Sequence, residues 1–178
     1  MPLHKLSFDE IQKIKPSKTQ VKKNEKNPFY AILDNVRSLY NVGAIFRTSD
    51  AVQVKKLYLC GITGVPPRPE IEKTALGACE VVEYEYEKNP IEIIKKLKKK
   101  GVKIVAIELC KESQDFRKMK IESETCFVFG HEVFGVGDEV LKYCDEAYYV
   151  PMHGRANSLN VATCFGVIMY EALKKLKK

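Results

Sequence analysis

Short apolar runs alternate along the chain with stretches in which apolar residues recur at three-and-four spacing. The runs at 29–33, 56–60, 81–84, 102–107, 125–129 and 147–150 predict strands, and the stretches 41–52, 71–76, 90–100, 138–143 and 159–176 predict helices. The last helix has the clearest signal. Val161, Ala162, Phe165, Ile168, Met169, Ala172, Leu173 and Leu176 fall on one wide stripe, as in a helix packed on a core. Strands that alternate with helices predict an α/β fold, a mostly parallel sheet with helices on both faces. Ligands of such sheets bind at the carboxyl ends of the strands.

Residues 1–28 break this pattern. Ser7 and Glu10 have capping-box spacing, which predicts two helical turns over 7–14. The polar stretch that follows, with Pro16 and Pro28 as breakers, reads as a linker or a loosely attached arm. The expected division is therefore an arm, 1–28, and one domain, 29–178. The arm carries seven lysines against three acidic residues, which suits either contact with a nucleic-acid backbone or a solvated tail. The run KKLKKK at 95–100 reads as a solvated helix end.

Composition narrows the class. A chain of 178 residues holds one ordinary core. Thirty Lys and Arg against 23 Asp and Glu, a net charge of +7, favour an acidic polymer as partner, although surface lysine also serves solubility. The six cysteines stand singly in apolar surroundings, without the paired spacing of a metal site or a disulfide framework, so no metal is expected and a reducing compartment is. No run reaches the length of a membrane span, and Asp9 and Glu10 occupy the place of a signal peptide's apolar centre. The expected location is cytoplasmic.

Three segments carry candidate chemistry. In NVRSLYNVGAIFRTSDA, Asn41 reads as a helix N-cap, and Gly43 and Arg47 lie one turn apart, so that Arg47 leans over a bare glycine toward free helix-end N–H groups. The alternative is that Gly43 permits close helix packing and Arg47 pairs with Asp50. In FVFGHEVFGVGDEVL, a strand ends in Gly130, His131 and Glu132, and glycine there lets a ligand approach the backbone. His131 reads as an ordinary hydrogen-bonded loop histidine. No GxGxxG or GxxxxGK[ST] pattern occurs, which leaves nicotinamide cofactors and nucleotide hydrolysis without support. In VPMHGRANSLNVATCFGVIMYEA, Ser158 reads as the cap of the last helix, whose amino end is suited to an anionic or carbonyl-rich ligand.

Together these segments resemble the three motifs of the SpoU branch of the SPOUT methyltransferases, which place 2′-O-methyl groups on tRNA or rRNA. The likeness covers residues 29–175. It implies an α/β domain with a C-terminal deep trefoil knot, S-adenosylmethionine as cofactor and S-adenosylhomocysteine as product, and a homodimer whose subunits pack by the knot. By position it implies that Leu109, Gly130, Val150, Met152, Ser158 and Leu159 hold the cofactor, that Asn41, Arg47, Glu132, Ser158 and Asn160 serve catalysis, and that Arg37, Arg47 and Arg155 meet RNA.

Family proposals make the motif arginine a base, but arginine keeps its proton in proteins. We therefore expect Arg47 to hold the adjacent phosphate and to stabilise the developing alkoxide. Many relatives carry an added RNA-binding domain. Here the expectation is that the arm, the lysine-rich ends and the dimer surface grip the RNA. The competing readings are a base-methylating SPOUT enzyme and an inactive RNA-binding or ribosome-assembly module.

Overall fold

β1 (Asn27–Asp34) lies inside the sheet with both of its faces covered. Phe29, Ala31 and Leu33 enter one core and Tyr30 and Ile32 the other, and all five are buried. A strand covered on both faces has no need of polar alternation, which is why its sequence is an unbroken apolar run. The computed structural model describes residues 3–176. The ends of the two expected segments, residues 1–2 and 177–178, lie outside that range.

The other strands are β2 (Val54–Cys60), β3 (Tyr84–Glu87), β4 (Lys103–Ile107), β5 (Gln114–Asp115), β6 (Thr125–Phe129) and β7 (Glu146–Tyr149). They form one seven-stranded sheet in the order β3-β2-β1-β6-β4-β7-β5, parallel at every pairing. The chain moves outward from β1 to β3, then crosses to the opposite half. A crevice opens at the strands' carboxyl ends where such an order reverses.

The helices are α1 (Phe8–Ile14), α2 (Lys18–Lys23), α3 (Leu39–Ala51), α4 (Pro69–Ala75), α5 (Pro90–Lys98), α6 (Asp138–Leu141) and α7 (Val161–Lys175). α3, α4 and α7 bury their apolar sides in the core on the Phe29 face, whereas α5 and α6 cover the Tyr30 face. Phe165 of α7 meets Phe129 of β6 with ring centroids 4.9 Å apart. Both rings are buried, so truncating Phe165 to alanine is expected to cost about 3–5 kcal/mol. This packing fixes where α7 begins relative to the end of β6.

Several boundaries differ from the sequence reading. The apolar pair Val81 and Val82 follows a 3-10 turn, Ala78–Glu80, and β3 starts only at Tyr84. Lys56 pins that register through Glu83 at 3.0 Å and Glu85 at 2.9 Å. β5, an edge strand of two residues, has no sequence signal of its own. The expected linker contains α2, held by a Ser17–Gln20 capping box and by burial of Val21. Lys26 continues the attachment, donating to the Val21 carbonyl at 3.0 Å and to Gln53 Oε1 at 2.8 Å. The Ser7–Glu10 capping box of α1 is formed, yet α1 buries no residue.

Candidate active site

The site begins with two helix starts. Ser38, rather than Asn41, caps α3: its Oγ accepts from Asn41 N at 3.4 Å. Asn160, rather than Ser158, caps α7, with Oδ1 accepting from Ala162 N at 3.0 Å and Thr163 N at 3.3 Å. The expectation failed in both places because two cap-forming residues stand close together in sequence and only geometry selects between them.

Glu132, from the loop after β6, binds the start of α3. Its Oε2 accepts from Arg37 N at 2.9 Å, and its Oε1 from Ser38 N at 2.9 Å and Asn41 Nδ2 at 3.0 Å. Asn41 Oδ1 in turn accepts from Asn160 Nδ2 at 3.1 Å. One hydrogen-bonded line thus joins the three motif segments. Burial opposes ionisation of Glu132, but N–H donors of Arg37 and Ser38, its own backbone and the Asn41 amide outweigh burial and hold the carboxyl below its usual value. Glu132 thus takes the N–H groups of Arg37 and Ser38 just ahead of α3, Ser38 Oγ takes that of Asn41, and Asn160 takes those of Ala162 and Thr163 in the first turn of α7.

Beside this line, a cleft of about 560 Å³ opens at the carboxyl ends of β4, β6 and β7. Leu109, Gly130, Val150, Met152, Ser158 and Leu159, the six positions marked for a cofactor, all line it, as do Glu132 and Asn160. Gly130 is glycine for a packing reason, because a Cβ there would run into the Gly135 carbonyl and Val136 N. Gly135, at φ 68°, faces the Glu108 carboxylate with equally little room. His131 is tied into the same loop: its Nδ1 accepts from Val133 N at 3.0 Å, and its backbone exchanges two hydrogen bonds with Gly135.

Other marked residues lie outside the cleft lining. Asn41 reaches it only through its hydrogen bonds to Glu132 and Asn160. Arg37, Arg47 and Arg155 are exposed, and none has an ion-pair partner among the described residues. Gly43 is not bare. It is buried against α4, where a methyl would meet Thr74 Oγ1 and the Ile71 carbonyl, so Arg47 does not lean over an open glycine. The packing half of the alternative reading holds, and its Arg47–Asp50 pair does not form.

Sequence reasoning missed Glu108. It accepts from Leu109 N at 2.9 Å through Oε1 and from Val136 N at 2.9 Å through Oε2, clamping two walls of the cleft together. The available signal was a carboxylate set directly after the buried run KIVAI, at a strand's carboxyl end. Among the described residues, no group of three His, Cys, Asp or Glu is placed to hold a metal ion.

With this geometry established, comparison with known proteins places the chain. The profile of the SpoU rRNA Methylase family matches residues 28–170. The tRNA (guanosine(18)-2′-O)-methyltransferase of Aquifex aeolicus is 34% identical over 164 residues, 92% of this chain and 77% of the relative. The crystal structure of the A. aeolicus TrmH/SpoU tRNA modifying enzyme superposes with a TM-score of 0.81 at 34% identity, covering 89% of this chain and 80% of that one. The AdoMet-bound rRNA methyltransferase from Sinorhizobium meliloti gives a TM-score of 0.80 at 27% identity, covering 89% of this chain and 61% of that one. A match over so much of its length, in sequence and in fold, means that this chain belongs to the SpoU rRNA methylase family.

Proposed function

We propose that the chain is an S-adenosylmethionine-dependent RNA methyltransferase that methylates a ribose 2′-hydroxyl of tRNA or rRNA. The observation that carries this reading is the cleft at the ends of β4, β6 and β7, tied by Glu132 and Asn160 to the first motif. Its volume lies within the range of small-molecule sites. Its walls combine apolar side chains such as Leu109, Val150 and Leu159 with turns whose backbone is open to a ligand. Among the described residues its charged lining groups are the carboxylates Glu108 and Glu132, with no lysine or arginine. Such a lining suits a cationic, adenine-bearing ligand better than an anionic one. When bound, the cofactor supplies a sulfonium methyl group, a strong electrophile.

The chain's own residues have three tasks. Leu109, Gly130, Val150, Met152, Ser158 and Leu159 hold the cofactor. Glu132, Asn41 and Asn160 fix the start of α3 against the start of α7, which sets the position of the incoming ribose. Arg47 holds the neighbouring phosphate and steadies the alkoxide as the hydroxyl proton leaves. Arg37 and Arg155 add phosphate contacts, so RNA binding weakens steeply with salt.

Arg47 projects from the exposed side of α3, outside the lining of its own cleft. This supports a homodimer in which each arginine serves the partner's cleft, with the C-terminal segment threaded as in the family. The six free thiols fit a reducing, cytoplasmic setting. The test is labelled methyl transfer from S-adenosylmethionine to unmodified tRNA and, separately, to undermodified rRNA. Incorporation into one of them that is lost in Arg47→Ala supports the proposal. Absence of transfer to both with cofactor binding intact contradicts these RNAs as substrates, and RNA binding without cofactor binding favours a binding module.

A further inference from the structure

Glu108 is the charged group of the cleft that the three motifs leave unassigned. Each oxygen already accepts one backbone N–H, from Leu109 and from Val136, so both serve as acceptors. A carboxylate has about four acceptor positions, so both oxygens retain capacity toward the cleft. Glu132 differs, because its charge is spread over two N–H groups and the Asn41 amide at the start of α3. Across the cleft, Cys164 of α7 responds to Glu108: burial first, and that negative charge second, push its thiol up to about 11. Among the described residues no lysine or arginine lines the cleft to neutralise Glu108.

Resting on the assignment of this cleft to S-adenosylmethionine, we infer that Glu108 makes the site prefer the cationic sulfonium donor over the neutral thioether product. The two ligands share adenosine and amino-acid ends and differ by one methyl and one positive charge. Apolar walls and backbone hydrogen bonds serve both alike. A fixed carboxylate is the element that separates them, because only the donor gains Coulomb attraction in a site of reduced dielectric. The consequence is functional: loss of the charge on methyl transfer weakens the product's hold, which favours exchange for fresh donor.

The experiment is calorimetric titration of the full chain with S-adenosylmethionine and with S-adenosylhomocysteine, read as the ratio of the two dissociation constants. Glu108→Gln should shift that ratio toward the product by on the order of tenfold. Glu108→Asp should retain the wild-type ratio even if both affinities fall. Equal changes for both ligands in Glu108→Gln would overturn the inference and leave Glu108 a loop clamp. So would the same shift in both variants. A second measurement needs no variant: an analogue with a protonated amine in place of the sulfonium should bind the wild-type chain more tightly than the product, and equal binding would also overturn the inference. A wild-type chain that binds neither donor nor product would refute the cofactor assignment itself.

Discussion

Asn160 Nδ2 donates to Asn41 Oδ1 across 3.1 Å, while Asn160 Oδ1 caps α7 through Ala162 and Thr163. One side chain therefore starts a helix with one end and positions a neighbouring motif with the other. The residues are 119 positions apart in sequence, and no local pattern announces their contact.

The two roles separate by substitution. Asn160→Asp keeps an oxygen for the cap, and a carboxylate suits a helix amino end, so thermal stability should stay within about 0.5 kcal/mol of wild type. The aspartate has no donor for Asn41, so methyl transfer should fall by tenfold or more, on the order of one strong hydrogen bond. Asn160→Ala removes both roles and should also lose about 1 kcal/mol of stability. Unfolding curves and turnover measured on the same preparations check both statements.

Glu132 gives a pH signature. Its folded-state pKa is lowered from 4.5, so its contribution to stability is fully present above that value and is lost as pH falls through the folded-state value. Glu132→Gln should cost roughly 1 kcal/mol near neutral pH, because the amide presents a donor to backbone donors. The gap in melting temperature between the two proteins should then narrow steadily below pH 4.5. A gap independent of pH would mean that the carboxylate charge contributes nothing at the start of α3.

Gly130→Ala should fail through packing. The added methyl meets the Gly135 carbonyl and Val136 N, which are backbone atoms and cannot rotate aside. A loss of about 1–3 kcal/mol is expected, as for overpacking elsewhere, together with loss of donor binding. Gly137→Ala in the same loop is the control, since a Cβ there meets nothing within 4 Å among the described residues.

Legibility of the fold followed burial. β6 is buried along its whole length and apolar after Thr125, and its sequence run matched Thr125–Phe129 residue for residue. β3 and β5 lie at the sheet edges, where partly exposed residues leave little periodic signal. The same limit applied within the site. The six positions marked for a cofactor fall together on one cleft because they follow the ends of neighbouring parallel strands. The caps did not, since Ser38 and Asn41, or Ser158 and Asn160, are equivalent until the chain bends. Glu108 was missed because its partners, Leu109 N and Val136 N, are backbone groups, and one of them lies 28 residues away.

Arg47 tests the dimer. Arg47→Lys should lower turnover at least tenfold with donor affinity unchanged, because a point charge does not reproduce a bidentate clamp. Near wild-type turnover in that variant would refute the clamp. Arg47→Ala and Gly130→Ala should each be inactive alone. Mixed and reassociated, they should regain about a quarter of wild-type activity if Arg47 serves the partner's cleft, since half the dimers then carry one intact site of two. If Arg47 serves its own cleft, the recovery from mixing is zero.

The most direct measurement is the position of the transferred methyl group. RNA labelled from S-adenosylmethionine by the wild-type chain is hydrolysed in alkali, which needs a free 2′-hydroxyl to cut the backbone. Ribose methylation predicts that the label survives in an alkali-resistant dinucleotide and falls to background in Arg47→Ala. Label recovered in a single methylated-base nucleotide would contradict the account and make the chain a base methyltransferase.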